Sequence, residues 1–338
     1  MKPFEYSRAA DASSAIAQLA ADPNAKFIGG GTNLVDLMKY QVEEPGQLID
    51  ISRLPLDKIE ELPGSVPGSG VRIGALARNT DMANHALIRE RYPVLSEALL
   101  AGASPQLRNR ATAGGNLLQR TRCYYFYDVG FTQCNKRKPG SGCAALDGIT
   151  RIHAILGASS QCIATNPSDM SVALAALGAT VQVQGPRGTR SIPFADFHRL
   201  PGTTPQLDTN LQHGELITSI DLPEVAGAQK NFSYIKVRDR ASYAFALVSA
   251  AVVLEIAEDR IRSARLALGG VAHKPWRVPE AESSLVGKQP GDAAYRVAAE
   301  IAVRGAKPYP GNAFKVEMAK RTVVRALSVA ARRGENNG

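Results

Sequence analysis

The sequence predicts an α+β fold, and three features lead to this expectation. Apolar residues make up 44% of the 338 residues, which is ordinary for a chain with a packed core. Strand-like and helical segments follow one another without a regular βα order, and the last third begins with strands and ends in helices. A chain of 36.0 kDa buries a large core and is expected to divide into two or three domains.

The first half alternates short strands with short helices. Asp11 is a suitable N-cap for a helix over residues 13–21, since its carboxylate can accept from free N–H groups of the first turn. The other elements predicted here are strands at residues 26–28, 48–51 and 71–75 and helices at 34–39, from Thr80 and at 94–102. Two prolines and three glycines between Leu62 and Gly70 predict a hairpin or sub-domain boundary.

The second half changes from helix to antiparallel sheet. Residues 171–177 are helical in pattern and stop at Gly178; residues 180–183 alternate like a strand before a turn at 185–188. A loop-rich stretch over 194–208 and a strand at 216–220 follow. Segments 234–237, 244–256 and 261–268 predict an antiparallel sheet, and helices end the chain at 316–331.

The longest apolar stretch, residues 243–254, is too short to cross a bilayer and contains Ser249. The N-terminus lacks the apolar core of a signal peptide, so neither an export signal nor a membrane span is expected.

The predicted domains are an α/β lobe at 1–58, a second lobe at 59–225 with an insertion at 119–165, and a sheet-plus-helix domain at 226–338.

Two glycine loops suggest phosphate binding. The first, Gly29-Gly30-Gly31-Thr32-Asn33, links a strand to a helix, so that backbone N–H groups can converge on an anion near the helix N-terminus. It has neither the Rossmann nor the Walker A spacing. The second runs from Ala111 to Asn116. Two such loops suit a dinucleotide, although each could also be a structural turn.

All four cysteines lie within one segment of the chain: Cys123, Cys134, Cys143 and Cys162. Four thiolates can bind zinc or a [4Fe–4S] cluster, and structural zinc usually has a close C-x2-C pair that is missing here. The wide spacing favours a cluster wrapped by an insertion, with Tyr124 to Tyr127 as a shield. Two disulfides or free thiols remain the alternative.

The net charge of +9 is concentrated around these cysteines. Residues 106–138 contain seven basic residues and one acid, Asp128, while residues 315–338 contribute +4. Such patches can bind nucleic acid. The first patch lacks an aromatic–basic RNA-recognition pattern, so a basic shell around a buried anion is the preferred interpretation.

The sequence shows no arrangement of residues typical of a hydrolytic enzyme. The five histidines, His153 included, are expected to be structural.

Four motifs in this order resemble the FAD-binding subunits of molybdenum hydroxylases, the family of xanthine dehydrogenase and aldehyde oxidoreductase. They are 27–34 (FIGGGTNL), 112–117 (TAGGNL), 166–169 (NPSD) and 236–238 (KVR). The cysteine segment is similar to the flavin subunit of bacterial periplasmic aldehyde oxidoreductases. The resemblance covers nearly the whole chain. It implies a two-lobed FAD-binding fold of the vanillyl-alcohol oxidase (PCMH-like) type, followed by a CO-dehydrogenase-flavoprotein-like domain.

The resemblance also implies roles for individual residues. The segment Phe27, Ile28, Gly29, Gly30, Gly31, Thr32, Asn33 and Leu34 would embrace the FAD pyrophosphate, and Thr112, Gly115 and Asn116 would line the same groove. Asp169 would bind toward the adenosine or ribityl end. Ile217 would pack on the cofactor and Lys236 would contact it, while the four cysteines would ligate a [4Fe–4S] cluster. No residue of this chain is expected to be catalytic.

The implied activity is electron transfer within an oxidoreductase. A large subunit with a molybdenum cofactor would oxidise an aldehyde, a small subunit with [2Fe–2S] centres would pass electrons to the FAD, and an external acceptor such as ferredoxin or quinone would receive them. The heterotrimer would be periplasmic, exported with a signal-bearing partner, or cytoplasmic. Alternatives are a xanthine, carbon monoxide or thioester-reducing relative, or a zinc-stabilised nucleic-acid-binding protein. The spacing leaves open whether the cluster carries electrons or braces the insertion.

Overall fold

The computed structural model describes residues 1–62 and 70–336, which form three sheets surrounded by helices. The first sheet is parallel, in the order β1-β3-β2. Its elements are β1 (Glu5–Arg8), α1 (Ala12–Ala21), β2 (Ala25–Ile28), α2 (Leu34–Lys39) and β3 (Gln47–Asp50). Asp11 caps α1 as predicted, since its side chain accepts from the Ser14 N–H at 2.7 Å.

The second sheet has five antiparallel strands in the order β4-β5-β8-β6-β7. Its strands are β4 (Ile59–Glu61), β5 (Gly70–Gly74), β6 (Thr180–Gly185), β7 (Gly188–Pro193) and β8 (Leu216–Pro223). The helices of this part are α3 (Asn79–Asn84), α4 (Ala86–Arg91), α5 (Pro93–Ala101), α6 (Pro105–Arg108), α7 (Ala113–Leu117), α8 (Tyr124–Tyr127), α9 (Asp169–Leu177) and α10 (Phe194–Phe197). The boundary predicted at 62–70 falls mainly on residues outside the described ranges, and the predicted domain limits stay predictions.

The third sheet is antiparallel, in the order β12-β11-β10-β9. Its elements are β9 (Phe232–Val237), β10 (Val248–Ala257), β11 (Arg260–Gly269), β12 (Trp276–Arg277), α11 (Pro279–Ser283), α12 (Asp292–Ala302) and α13 (Phe314–Asn336). Helix α9 packs on one face and α13 on the other. Consecutive residues of β10, such as Val252 and Val253, therefore enter two different hydrophobic cores. This explains the unbroken apolar run.

The run is predicted as strand or strand–turn–strand, with sheet from residue 244, but β10 begins at Val248. Residues 238–247 form a loop, in which Tyr243 has a positive φ of 50° and Phe245 is exposed. Apolar composition alone does not separate a buried strand from a loop that covers a neighbouring surface. The mixture of helices and sheets confirms the α+β prediction. Within the described residues, no helix combines the length and apolar character needed to cross a membrane.

Candidate functional site

A cleft of about 610 Å³ lies where the two glycine loops, the start of α9 and strand β9 meet. The loop at 238–247 contributes Tyr243 and Phe245 to its wall. Six of the residues predicted to bind a cofactor line this cleft: Thr32, Asn33, Gly115, Asn116, Asp169 and Lys236. These residues come from all three sheet regions, so folding brings together groups that are more than 200 positions apart in the sequence.

The first glycine loop has a run of unused backbone donors. Within the described residues, the N–H groups of residues 29–33 donate no hydrogen bond, although the carbonyls of Gly31 and Asn33 accept from α2. Gly31 has a positive φ of 74°, a conformation that L side chains rarely adopt. Consecutive free N–H groups at a helix start can bind an anion, as the sequence predicted.

The second loop is held in place by hydrogen bonds and is in backbone contact with the first loop. Thr112 Oγ1 caps α7 by accepting from the Gly115 N–H at 3.2 Å, and the Gly114 N–H donates to the Ala75 carbonyl at 2.8 Å. A Cβ atom on Gly30 would lie 2.0 Å from the Arg110 carbonyl oxygen, so the two loops are in backbone contact. The first loop therefore offers free donors, while the second provides a fixed wall.

Two asparagines connect these loops to neighbouring segments. Asn33 Nδ2 donates to the Tyr127 hydroxyl at 3.2 Å, and its Oδ1 accepts from the Arg120 N–H at 3.0 Å. Asn116 Oδ1 accepts from the Ser168 hydroxyl at 2.7 Å, and Ser168 also caps α9. The cleft wall is thus held by a network of side-chain hydrogen bonds.

Asp169 and Lys236 form a buried ion pair at one side of the cleft. Lys236 Nζ lies 2.7 Å from Asp169 Oδ2 and also donates to the Ala101 carbonyl at 3.0 Å. The hydroxyl of Tyr234 donates to Asp169 Oδ1 at 2.5 Å. Burial and the Asp169 charge both raise the pKa of Tyr234 well above its ordinary value, so this tyrosine stays a donor. The sequence placed Asp169 and Lys236 at one cofactor without indicating that they bind each other.

The remaining predicted residues lie behind the cleft wall, and their cofactor contacts stay predictions. Ile217 is 4% exposed in the core beneath Gly114. Phe27 packs on the core of the first sheet. Ile28 and Leu34 flank the first loop at the ends of β2 and α2, and Thr112 faces Gly29 across the contact between the loops.

Arg122 is a cleft residue that the sequence counted only as part of a basic patch. Its guanidinium carbon lies 4.8 Å from the Tyr127 ring centre and 4.5 Å from that of Phe245. Its Nη1 donates to the Tyr127 hydroxyl, and its Nε has no partner among the described residues. Burial lowers the pKa of this arginine. Its position directly before Cys123 was the only signal that could have singled it out.

Two other members of the basic patch are already paired with acids. Arg120 binds Glu43 and Asp208, and Lys136 lies 2.5 Å from Asp208 with its side chain 1% exposed. The charge around the cysteines is therefore partly compensated, which a count along the sequence could not show.

The four cysteines come together around one small cavity. None forms a disulfide, and all but the half-buried Cys143 are buried. The backbones of Cys134 and Cys143 face each other in an isolated antiparallel bridge. Among the described residues, no group of three or more His, Cys, Asp or Glu side chains is arranged to hold a metal ion.

The thiols occupy an apolar environment with basic and imidazole neighbours. Burial raises the pKa of Cys123 to about 12 and that of Cys162 to about 11, and Lys136 opposes the shift at Cys162. His153 is fully buried, with Nε2 3.1 Å from the Cys123 sulfur. Burial lowers the pKa of His153 to about 4, with a further contribution from Lys315, so its imidazole is neutral.

Comparison with known proteins assigns the cleft to a class. Residues 2–225 match the family described as FAD binding domain in molybdopterin dehydrogenase, and residues 233–330 match the CO dehydrogenase flavoprotein C-terminal domain. A carbon monoxide dehydrogenase structure from Hydrogenophaga pseudoflava superposes with a TM-score of 0.76 at 29% identity, covering 98% of this chain and 99% of that one. The fold and cleft are those of an FAD-binding oxidoreductase subunit.

The chain belongs to the FAD-binding medium subunits of the molybdenum hydroxylase family. It is 52% identical over 331 residues to the aldehyde oxidoreductase FAD-binding subunit PaoB of Escherichia coli, covering 98% of this chain and 99% of the relative. It is also 29% identical to the glyceraldehyde dehydrogenase medium chain of Sulfolobus acidocaldarius, over 86% and 83% of the two chains. The resemblance and fold predicted from the motifs are confirmed, and the nucleic-acid-binding alternative is set aside.

Removing the ammonium of Lys236 is expected to destabilise the protein. In Lys236→Met the Asp169 carboxylate loses its counter-ion while still buried, and breaking a buried pair costs about 3–5 kcal/mol. Urea unfolding should show this loss in the free energy of unfolding. Arg296→Met is the matched control, because the Arg296–Asp292 pair is largely exposed and should contribute little to the free energy of unfolding. Equal stabilities of the two variants would contradict the importance of burial.

Proposed function

We propose that this chain is the electron-transferring flavin subunit of a molybdenum-dependent aldehyde oxidoreductase. Electrons would arrive from molybdenum and [2Fe–2S] centres on partner subunits and leave through FAD to an external acceptor such as ferredoxin or quinone. The observation that carries this proposal is the run of free N–H groups in the first glycine loop, whose Thr32 and Asn33 line the cleft of an FAD-binding domain. The 52% identity to an aldehyde oxidoreductase subunit favours an aldehyde over xanthine, carbon monoxide or a thioester as substrate of the complex.

The residues of the cleft fit an FAD. Free donors at residues 29–33 would hold the pyrophosphate, because none of these N–H groups donates a hydrogen bond within the part of the chain that the structure describes. Asn116 and Gly115 would form the opposite wall, and the Asp169–Lys236 pair would lie toward the adenosine or ribityl part. When bound, FAD supplies reversible storage of one or two electrons. The chain's own contribution is to orient that group and exclude water.

The four cysteines around one cavity support the proposal that this chain holds a [4Fe–4S] cluster. In such a cluster each thiolate binds a different iron, so the four ligands surround a common core and do not converge on one ion. Four cysteines that line one cavity suit this requirement. The raised thiol pKa values mean that cluster binding must displace protons, which Lys136 assists at Cys162.

The partners proposed are a small [2Fe–2S] subunit and a large molybdenum subunit, giving a heterotrimer. The relatives named as medium chains or medium subunits support this, since a medium chain implies a smaller and a larger companion. A periplasmic location would follow if a signal-bearing partner carried the complex across the membrane, and a cytoplasmic location is the alternative. Aldehyde-dependent dye reduction by the intact complex, compared in periplasmic and cytoplasmic fractions, separates the two.

The purified protein is expected to be coloured by both cofactors. Resolved flavin bands should rest on the broad absorption of an iron–sulfur cluster, with one FAD, four irons and four sulfides per chain by chemical analysis. The contrary outcome would be a colourless protein in which metal analysis finds stoichiometric zinc at full loading, and it would overturn the proposal. A protein that contains flavin but no iron would support the flavoprotein assignment and refute the proposed cluster.

A further inference from the structure

His153 lies beside the cysteine-lined cavity and touches one of its thiols. Its Nε2 is 3.1 Å from Cys123 Sγ, and its side chain is fully buried. We propose that His153 is a positioning residue, whose Nε2–H donates a hydrogen bond to the Cys123 thiolate and raises the reduction potential of the cluster. This inference rests on the proposed [4Fe–4S] site.

The tautomer follows from the environment of the ring. A metal-bound thiolate only accepts hydrogen bonds, so in this contact Nε2 must carry a proton. Nδ1 is buried and has no partner among the described residues. A buried ring nitrogen without a partner is unfavourable. The imidazole therefore gains its polar contact through Nε2 alone, and that contact is the sulfur.

Side chains from the C-terminal region hold the main chain of His153 in place through hydrogen bonds. Its carbonyl accepts from Asn312 Nδ2 at 3.1 Å and from Lys315 Nζ at 2.8 Å, and both of these side chains are fully buried. Its N–H donates to the Thr150 carbonyl at 2.9 Å. These bonds hold the imidazole against Cys123 without any contribution from a metal, so the donor is already in place when the thiol becomes a ligand.

A hydrogen bond to a ligand sulfur has a defined effect on an iron–sulfur centre. It withdraws negative charge from the thiolate and so favours the reduced, more negative cluster. Deleting the donor should therefore make the cluster harder to reduce. A residue that only filled space would leave the potential where it was.

The test is a redox titration of the full-length protein in its complex, monitored by electron paramagnetic resonance of the reduced cluster. His153→Leu removes the donor and should shift the cluster midpoint to more negative values, while His153→Gln retains an N–H donor and should restore part of the shift. The flavin midpoint should stay constant. His198→Leu is the matched control, because His198 is also buried but its Nε2 contacts the Leu117 carbonyl, so the cluster midpoint should not move.

A second measurement needs no variant. In wild-type protein grown with ¹⁵N-histidine, electron–nuclear double resonance should detect one ¹⁵N coupling to the reduced cluster. Wild-type complex without iron and sulfide would overturn the cluster proposal itself. A cluster that is present but shows no ¹⁵N coupling, or that has the same midpoint in His153→Leu, would overturn the role of His153. If His153→Leu fails to assemble a cluster, the ¹⁵N coupling measured in labelled wild-type protein still tests the role of His153.

Discussion

On the proposed [4Fe–4S] site, Cys134→Ser is expected to lose most of its iron and sulfide and to unfold at a lower temperature than the wild type. Cys134 lies in the short antiparallel bridge with Cys143, and both face the common cavity. Serine is a poorer ligand for a soft metal centre than a thiolate, and a cluster held by three thiolates is exposed to loss. Because metal binding contributes to folding free energy, loss of the cluster should also destabilise the insertion.

Chemical iron and sulfide analysis and thermal unfolding of the purified variant measure this effect. Thr132→Ser is the matched control: Thr132 is exposed, and its carbonyl accepts from the Cys134 N–H through the backbone, which the substitution leaves intact. The control should keep full iron content. Unchanged iron in Cys134→Ser would refute this ligand assignment, whereas loss of iron in both variants would mean only that the segment tolerates no change.

Gly30→Ala is expected to weaken FAD binding at least tenfold, equivalent to about 1.4 kcal/mol or more. The added Cβ would lie 2.0 Å from the Arg110 carbonyl oxygen and 2.8 Å from its carbon, and both atoms belong to the backbone. Neither can rotate away, so the first glycine loop must move from the second. That movement would misalign the free N–H groups of residues 29–33.

Flavin content after purification, together with fluorescence titration of the apoprotein with FAD, quantifies the loss. Gly46→Ala is the matched control in the same region, because its Cβ would meet only Asn24 Cβ at an ordinary 3.8 Å and its φ is not in the left-handed range. Full flavin occupancy in Gly30→Ala would show that the close approach of the two loops is not needed for binding.

Local patterns predicted those features that depend on neighbours in the sequence. The cap at Asp11 and the stop of α9 at Gly178, which has a φ of 71°, are local conformational preferences, and the structure has both. Helix α9 begins at Asp169, two residues before its predicted start, because Ser168 caps it. The apolar run before β10 shows the limit of this approach, since residues 244–247 are apolar but belong to a loop.

Features that depend on contacts between distant segments could not be predicted. The partner of Asp169 is 67 residues away, and the rings that enclose Arg122 lie at Tyr127 and Phe245. The sequence identified Asp169 and Lys236 only through family resemblance, and it gave Arg122 no individual role. The sequence showed that the four cysteines lie within one segment, whereas the approach of His153 to Cys123 required the folded insertion.

The bonds from Asn312 and Lys315 to the His153 carbonyl also bear on the order in which the protein is built. A ribosome releases the insertion long before it makes α13, so residues 150–155 lack these partners during most of synthesis. The Lys307 N–H adds another late bond, to the Ile155 carbonyl. The main chain beside the thiol cavity therefore gains these three hydrogen bonds only once residues 307–315 have been synthesised.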